Sequence, residues 1–163
     1  MISLPHLHIV GQKKSGKTSL IELLVTALTE KGYKVGTLKH SSHTHPLDKP
    51  GSDSHRFSTA GANPSVFMTP HGMASYYHPD SQQNSHRYVS RIFADCNLVL
   101  IESFRQAKGP KILVQKNDED SSDLENIIAI INETGRHPKY LAFRSGDPEL
   151  IDYIIQKILS DSE

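Results

Sequence analysis

The stretch Gly11-Gln-Lys-Lys-Ser-Gly-Lys-Thr18 fits G-x-x-x-x-G-K-[ST] at every fixed position. Residues of these types at this spacing can hold a chain of phosphates. Gly11 and Gly16 let the backbone close around a phosphate, so that successive N–H groups converge on it as a nest. A helix beginning near Lys17 adds the positive end of its dipole. The Lys17 ammonium can reach the β- and γ-phosphates, and the Thr18 hydroxyl can join the shell of a Mg²⁺ ion. Gln12, Lys13, Lys14, Ser15 and Ser19 complete the candidate set. Lys13 and Lys14 each have two readings, a solvated loop lysine or a phosphate or inter-subunit contact. Lys17 is expected to face solvent when no ligand is bound.

Such a loop requires an acidic partner at the end of a buried strand, near the metal. Leu98-Val-Leu-Ile-Glu102 supplies one, with glutamate where aspartate is usual. Glu102 can contact Mg²⁺ through a water or orient an attacking water; the plainer reading is a strand-end carboxylate facing solvent. Lys17 and Glu102 are therefore the catalytic candidates, and Thr18 and Glu102 the metal candidates. The guanine-reading N-K-x-D is absent. Asn132-Glu-Thr-Gly135 follows a strand in the right region but lacks the lysine and the aspartate. The motifs define a nucleoside triphosphate site and leave its base open.

A third stretch, residues 38–56, brings His40, His43, His45 and His55 together with Lys39, Asp48, Asp53 and Arg56. Three readings stand side by side: a loop that closes over a charged ligand, ordinary solvated histidines, or a metal site. No cysteine is near, and Pro46, Pro50 and Gly51 break the segment into turns, whereas structural zinc usually takes four closely spaced ligands. Long glycine-containing loops commonly act as lids. If the strand before this loop lies beside the strand before Gly11, Lys39, Asp48, Asp53 and Arg56 face the phosphates, Mg²⁺ or the partner's substrate. The protein is expected to carry no stoichiometric zinc.

The elements that must position these residues follow from apolar periodicity. Leu7–Val10, Tyr33–Leu38, Leu98–Ile101, Lys111–Gln115, Ile127–Ile131 and Tyr140–Phe143 read as strands. Thr18–Lys31 reads as a helix with Leu20, Ile21, Leu23, Leu24, Ala27 and Leu28 on one stripe and Gly32 as its stop. Asp53 or Ser54 is expected to cap a short helix ending before Gly61. Ser65–Met68 and Met73–Tyr77 form a hairpin, followed by a helix over 81–94 with Tyr88, Val89, Ile92 and Phe93 on one side. Asp147 caps the last helix and Pro148 opens it. Strands alternating with helices predict one α/β domain over residues 1–163: a three-layer P-loop domain with a mostly parallel sheet and a small hairpin decoration.

Composition narrows the function. The 163 residues carry 18 basic and 18 acidic side chains, so no global positive field points to a nucleic acid polymer or an anionic membrane. The acidic stretch 117–125 reads as a solvated loop. One cysteine, Cys96, excludes an intrachain disulfide and fits a reducing compartment. No apolar run approaches the ~20 residues that span a bilayer. A soluble cytoplasmic protein is expected.

The P-loop, Lys39-His40, Asp48-x-x-Gly51-x-Asp53-Ser54-x-Arg56, Ala60-Gly61-Ala62, Glu102 and Pro110-Lys111-Ile112 occur in an order and spacing that resemble the MobB family of molybdopterin-guanine dinucleotide biosynthesis adaptor proteins. The resemblance runs from Ile9 to about Val114. It implies GTP and Mg²⁺ as ligands, GTP in preference to ATP, weak intrinsic hydrolysis and a homodimer. It also implies a partner, the guanylyltransferase that attaches GMP to molybdopterin, with molybdopterin itself a further candidate ligand. Phosphate-loop residues Gly11–Thr18, the loop from Lys39 through His40 to Arg56, and Glu102 are the positions it transfers. Where the family often has glycine after the acidic residue, this chain has Ser103, and its Cβ bears on hydrolysis more than on binding. Base contacts fall to Asn132 or to Arg144-Ser145-Gly146-Asp147, each of which also reads as a plain turn or cap. A small-molecule kinase and a metal-delivery GTPase are the alternatives. Arg87, Arg91, Arg105, Arg136 and Arg144 are too scattered for the arginine-rich lid of a kinase.

Overall fold

The computed structural model describes residues 4–41, 43–116 and 121–160. In chain order its elements are β1 (His6–Val10), α1 (Lys17–Glu30), β2 (Val35–Lys39), α2 (Asp53–Thr59), β3 (Ser65–Thr69), β4 (Gly72–Tyr76), α3 (Gln82–Ile92), β5 (Leu98–Glu102), β6 (Lys111–Val114), β7 (Ile127–Ile131), β8 (Ala142–Phe143) and α4 (Pro148–Ile154). The chain divides into two compact units, one made of Met1–Ser41 with Val89–Glu163 and the other of Ser42–Tyr88.

The first unit is built on a six-stranded sheet in the order β2-β5-β1-β6-β7-β8, parallel at every pairing. Parallel strands need cover on both faces, which is why β5 and β6 are apolar without alternation. Leu7, Ile9, Leu98, Leu100, Ile112 and Val114 meet Leu20, Leu24 and Leu28 of α1 and Leu150, Ile151 and Ile154 of α4 on one face. On the other, Val10, Leu113 and Ile130 pack with Leu124, Ile127 and Tyr140, and the Phe93 ring lies over Gly36.

The expected strand next to β1 is corrected: β2 does not neighbour it, because β5 lies between them. The consequence is useful, since the register sets Glu102 opposite Ile9 on one side and Lys39 on the other. β2 starts at Val35 because Tyr33 N donates to Leu28 O and still belongs to the closure of α1. β8 is shorter than expected, Tyr140 being used for packing. The last helix is not uniform: α4 passes into a π turn over Ile155–Leu159. Residues 117–120 of the acidic stretch lie outside the described residues; beyond them Asp123 pairs with Arg105 at 2.7 Å and Leu124 is buried.

In the second unit β3 and β4 form an antiparallel hairpin with Pro70-His71 as its turn. The α2 helix is capped one residue earlier than expected: Ser52, not Asp53 or Ser54, accepts from His55 N at 3.3 Å. Ser54 is committed elsewhere, donating to Asp48 Oδ2 at 2.7 Å and accepting at its carbonyl from Ser65 Oγ. The hairpin leaves Val66, Phe67, Met68 and Met73 exposed.

Candidate functional site

β1 ends at Val10 and α1 starts at Lys17, so Gly11–Gly16 is the strand-to-helix loop at the carboxyl end of the sheet. Gly11 has φ of 150°, and a Cβ there would collide with the Val114 carbonyl oxygen and the Ser15 hydroxyl. Gly16, the residue before α1, is left-handed with φ of 100°, and Lys14 is left-handed too at 61°. Alternating left- and right-handed residues turn successive N–H groups inward, as an anion nest requires. The expectation that Lys17 faces solvent is corrected. Its side chain is buried, with Nζ donating to Gly11 O at 3.1 Å and Gln12 O at 2.5 Å. Lys17 thus braces the loop from inside, its charge lying against the backbone that would wrap a phosphate. Lys13 is exposed.

Thr18 Oγ1 donates to Glu102 Oε2 at 3.1 Å, across eighty-four positions of sequence. Glu102 Oε1 pairs with Lys39 Nζ at 3.4 Å. A hydroxyl and a half-buried carboxylate in contact beside a phosphate nest are the donor set expected of a Mg²⁺ site in P-loop proteins. The chemistry of the residues therefore fits that ion.

Beyond Glu102 the backbone is unusual. Ser103 and Phe104 are both left-handed, with φ of 73° and 68°. That conformation costs a residue with a Cβ roughly 1–2 kcal/mol, so the departure from glycine at 103 is felt in the backbone. Two devices hold the turn. Ser103 N donates to Ile9 O at 2.9 Å. The Phe104 ring stacks on His40 at 4.2 Å and meets the edge of His8 at 6.0 Å. Further along, Lys111 is fully buried and its ammonium donates to the carbonyls of Ala107, Gly109 and Glu125. Burial lowers the Lys111 pKa, partly countered by Glu125. Burial, with nearby His6 next, takes the His8 pKa from 6.5 to about 4.

A cavity of about 920 Å³ opens beside the phosphate loop. Lys14, Ser15, Gly16, Ser19 and Leu20 line it together with the ends of β6 and β7, residues 132–134 and 136–138, Arg144 and Ser145. Asn132 is committed to its own turn, Oδ1 accepting from Gly135 N at 2.8 Å and Nδ2 donating to Arg136 O at 3.0 Å. Asp147 stands at the start of α4, but its carboxylate does not cap the helix; Oδ2 accepts from Arg144 N at 2.7 Å. Both base-contact candidates from sequence are thus turn-builders.

The structure brings Gly11–Ser19, Lys39 and Glu102 together, with His40 one residue further along. Asp53 and Arg56 belong to the second unit, where they pair with one another at 3.7 Å and are exposed. His43 and His45 meet edge to face, and His55 Nδ1 accepts from Gly51 N. Among the described residues no group of three or more His, Cys, Asp or Glu side chains is placed to hold a metal ion. Asp48 lies below the usual carboxylate range, chiefly through the Ser54 hydroxyl. Phe104 and His8 were not singled out from sequence, whereas the turn at 132–135 was, through Asn132. Lys111 was named within Pro110-Lys111-Ile112 but without a role; its signal was a lysine opening the apolar run Lys-Ile-Leu-Val.

The family model described as MobB, molybdopterin guanine dinucleotide synthesis protein B, matches residues 6–133. A probable molybdopterin-guanine dinucleotide biosynthesis adapter protein of Bacillus subtilis is 29% identical over 172 residues, covering 97% of this chain and 95% of its own length. The adapter protein of Haemophilus influenzae is 34% identical over 71% of this chain and 65% of its own length. The crystal structure of Bacillus subtilis MobB superposes with a TM-score of 0.73 at 27% identity, covering 95% of this chain and 98% of that one.

Proposed function

Since the chain belongs to the MobB family, we propose that it is an adapter of molybdopterin-guanine dinucleotide biosynthesis that binds GTP with Mg²⁺ on the Gly11–Thr18 loop. Its partner on this reading is the guanylyltransferase that joins GMP to molybdopterin. The observation that carries the proposal is the contact between Thr18 and Glu102 beside the glycine-bounded nest. Thr18 and Glu102 would hold the metal, which would offset phosphate charge when bound. Lys17 would exchange its two carbonyl acceptors for phosphate oxygens.

Weak hydrolysis fits the same residues. Both oxygens of Glu102 are engaged, one by Thr18 and one by Lys39. A carboxylate so occupied is poorly free to orient water, and Ser103 adds a Cβ where the backbone would approach a γ-phosphate. Binding is then the main task and turnover secondary. Homodimerisation is supported by the hairpin, whose Val66, Phe67, Met68 and Met73 present apolar surface that a second copy would cover. Among the described residues no helix is long and apolar enough to cross a membrane, which suits a protein working beside a cytoplasmic nucleotide pool. Calorimetric titration with GTP, ATP and their non-hydrolysable analogues, with and without Mg²⁺, tests the reading. GTP binding that strengthens with Mg²⁺ is expected; equal affinity for ATP would refute the nucleotide preference.

A further inference from the structure

We propose that Glu133 is the residue that reads the base, its carboxylate accepting from the two adjacent N–H groups of guanine. The inference rests on the GTP reading above and deepens it. The cavity of about 920 Å³ that includes Ser15 and Gly16 of the phosphate loop is large enough for a nucleoside, and it extends to the turn after β7. It also lies at the carboxyl ends of parallel strands, where open α/β sheets bind ligands. Lys14, Lys116, Arg136 and Arg144 line it, and they suit phosphates. Among the described residues Glu133 is the one carboxylate in the lining. It is exposed, and it forms no ion pair among those residues.

Guanine presents N1–H and the N2 amino group side by side, both donors, and a carboxylate can accept from both at once. Adenine presents an unprotonated N1 at the equivalent place, so the same carboxylate would face a lone pair. Discrimination of this kind needs a fixed acceptor. The turn is fixed by Asn132, whose Oδ1 accepts from Gly135 N and Thr134 Oγ1 and whose Nδ2 donates to Arg136 O. Asn132 braces the turn, and Glu133 beside it is left to read. The absent N-K-x-D motif is on this account replaced by a bracing asparagine followed directly by the reading carboxylate.

The test titrates the full chain and its Glu133→Gln and Glu133→Ala variants with GTP, ATP and xanthosine triphosphate in the presence of Mg²⁺. GTP affinity should fall about 10- to 100-fold in both variants, the range of one or two lost charge-assisted hydrogen bonds. ATP affinity should not fall in either variant, since each removes the carboxylate that would face the adenine N1 lone pair. Xanthosine triphosphate should gain affinity in Glu133→Gln alone, because the amide N–H can donate to the carbonyl that replaces the guanine amino group. Unchanged GTP affinity in Glu133→Gln overturns the assignment while leaving the GTP site standing. A parallel fall for GTP and ATP also overturns it, as that marks a structural effect. A parent chain that binds neither nucleotide overturns both readings.

Discussion

His8 offers a prediction whose size follows from its surroundings. It sits on β1 with 3% of its surface exposed, and its Nδ1 has no hydrogen-bond partner among the described residues. Phe104 lies against one side, His6 meets it edge to face at 5.5 Å, and Lys111 is its register partner on β6. Of the neighbours, His6, Lys111 and His40 disfavour a further positive charge there. Burial is the main cause of its depressed pKa of about 4, and a backbone hydrogen bond with Ser103 only partly opposes it. The unfolded chain therefore takes up a proton at this histidine as pH falls below 6.5, while the folded chain resists until about 4. Stability from this group is present above pH 6.5 and is lost as pH falls through that window. Linkage gives a loss of about 2 kcal/mol between pH 7.5 and pH 5.0. Urea unfolding of the parent and of His8→Leu at these two pH values measures it. The parent should lose about 2 kcal/mol more than the variant over this interval. Equal losses in the two proteins would mean that His8 is protonated in the fold, and the account of its burial would fail.

Four further outcomes follow from the site and the second unit. Lys17→Ala should reduce GTP affinity on the order of 100-fold, from charge-assisted hydrogen bonds worth about 1.5–3 kcal/mol each. Because Lys17 also braces Gly11 and Gln12, it should lower stability by about 1 kcal/mol without unfolding the chain; calorimetry and thermal melting check the two effects. Ser103→Gly relieves about 1–2 kcal/mol of left-handed strain and adds about 0.5–1 kcal/mol of unfolded-state entropy, for a net gain near 0.5 kcal/mol, and a lower melting temperature would contradict it. Saturating GTP with Mg²⁺ should protect residues 39–56 from proteolysis, and an unchanged cleavage rate would remove the lid reading of that loop. Phe67→Glu with Met68→Glu should shift sedimentation from dimer to monomer, whereas a parent chain already monomeric would withdraw the hairpin as an interface.

Legibility followed the range of the forces involved. The strand-to-helix loop at Gly11–Thr18 was readable because its conformation is dictated locally, by glycines that permit left-handed backbone and by a helix start three turns of apolar stripe can support. The buried runs of β5 and β6 were readable for the same reason, since covering both faces demands unbroken apolar sequence. Strand order was not. Nothing in Tyr33–Leu38 says that β5 will insert between it and β1, because parallel neighbours are chosen by the crossover and not by the strand. Element ends blurred where one side chain had two possible duties: Ser52 capped α2 because Ser54 was engaged with Asp48, and Asp147 turned to Arg144 N instead of its own helix.

The site shows the same division more sharply. Thr18 and Glu102 could each be named from sequence, one from the P-loop and one from the end of an apolar strand, yet only folding puts them 3.1 Å apart. The register explains how: Glu102 pairs with Ile9, two residues before the loop begins, and Lys39 pairs with Glu102 from the opposite side. A one-residue slip of β5 would move the carboxylate to the other face of the sheet and away from Thr18. The aromatic support of Phe104 by His40 and His8 joins three segments distant in sequence, and no local pattern announces it. The histidine-rich stretch invites a reading as a metal site when its members are counted together. His40 instead stacks beneath the turn that follows Glu102, while His45 and His55 belong to another compact unit. Proximity in sequence is weak evidence of a shared ligand when prolines and a glycine lie between the residues. A carboxylate at the end of a strand whose register is locked by burial, in contact with a hydroxyl in the first turn of α1, is stronger evidence, even at eighty-four residues' remove.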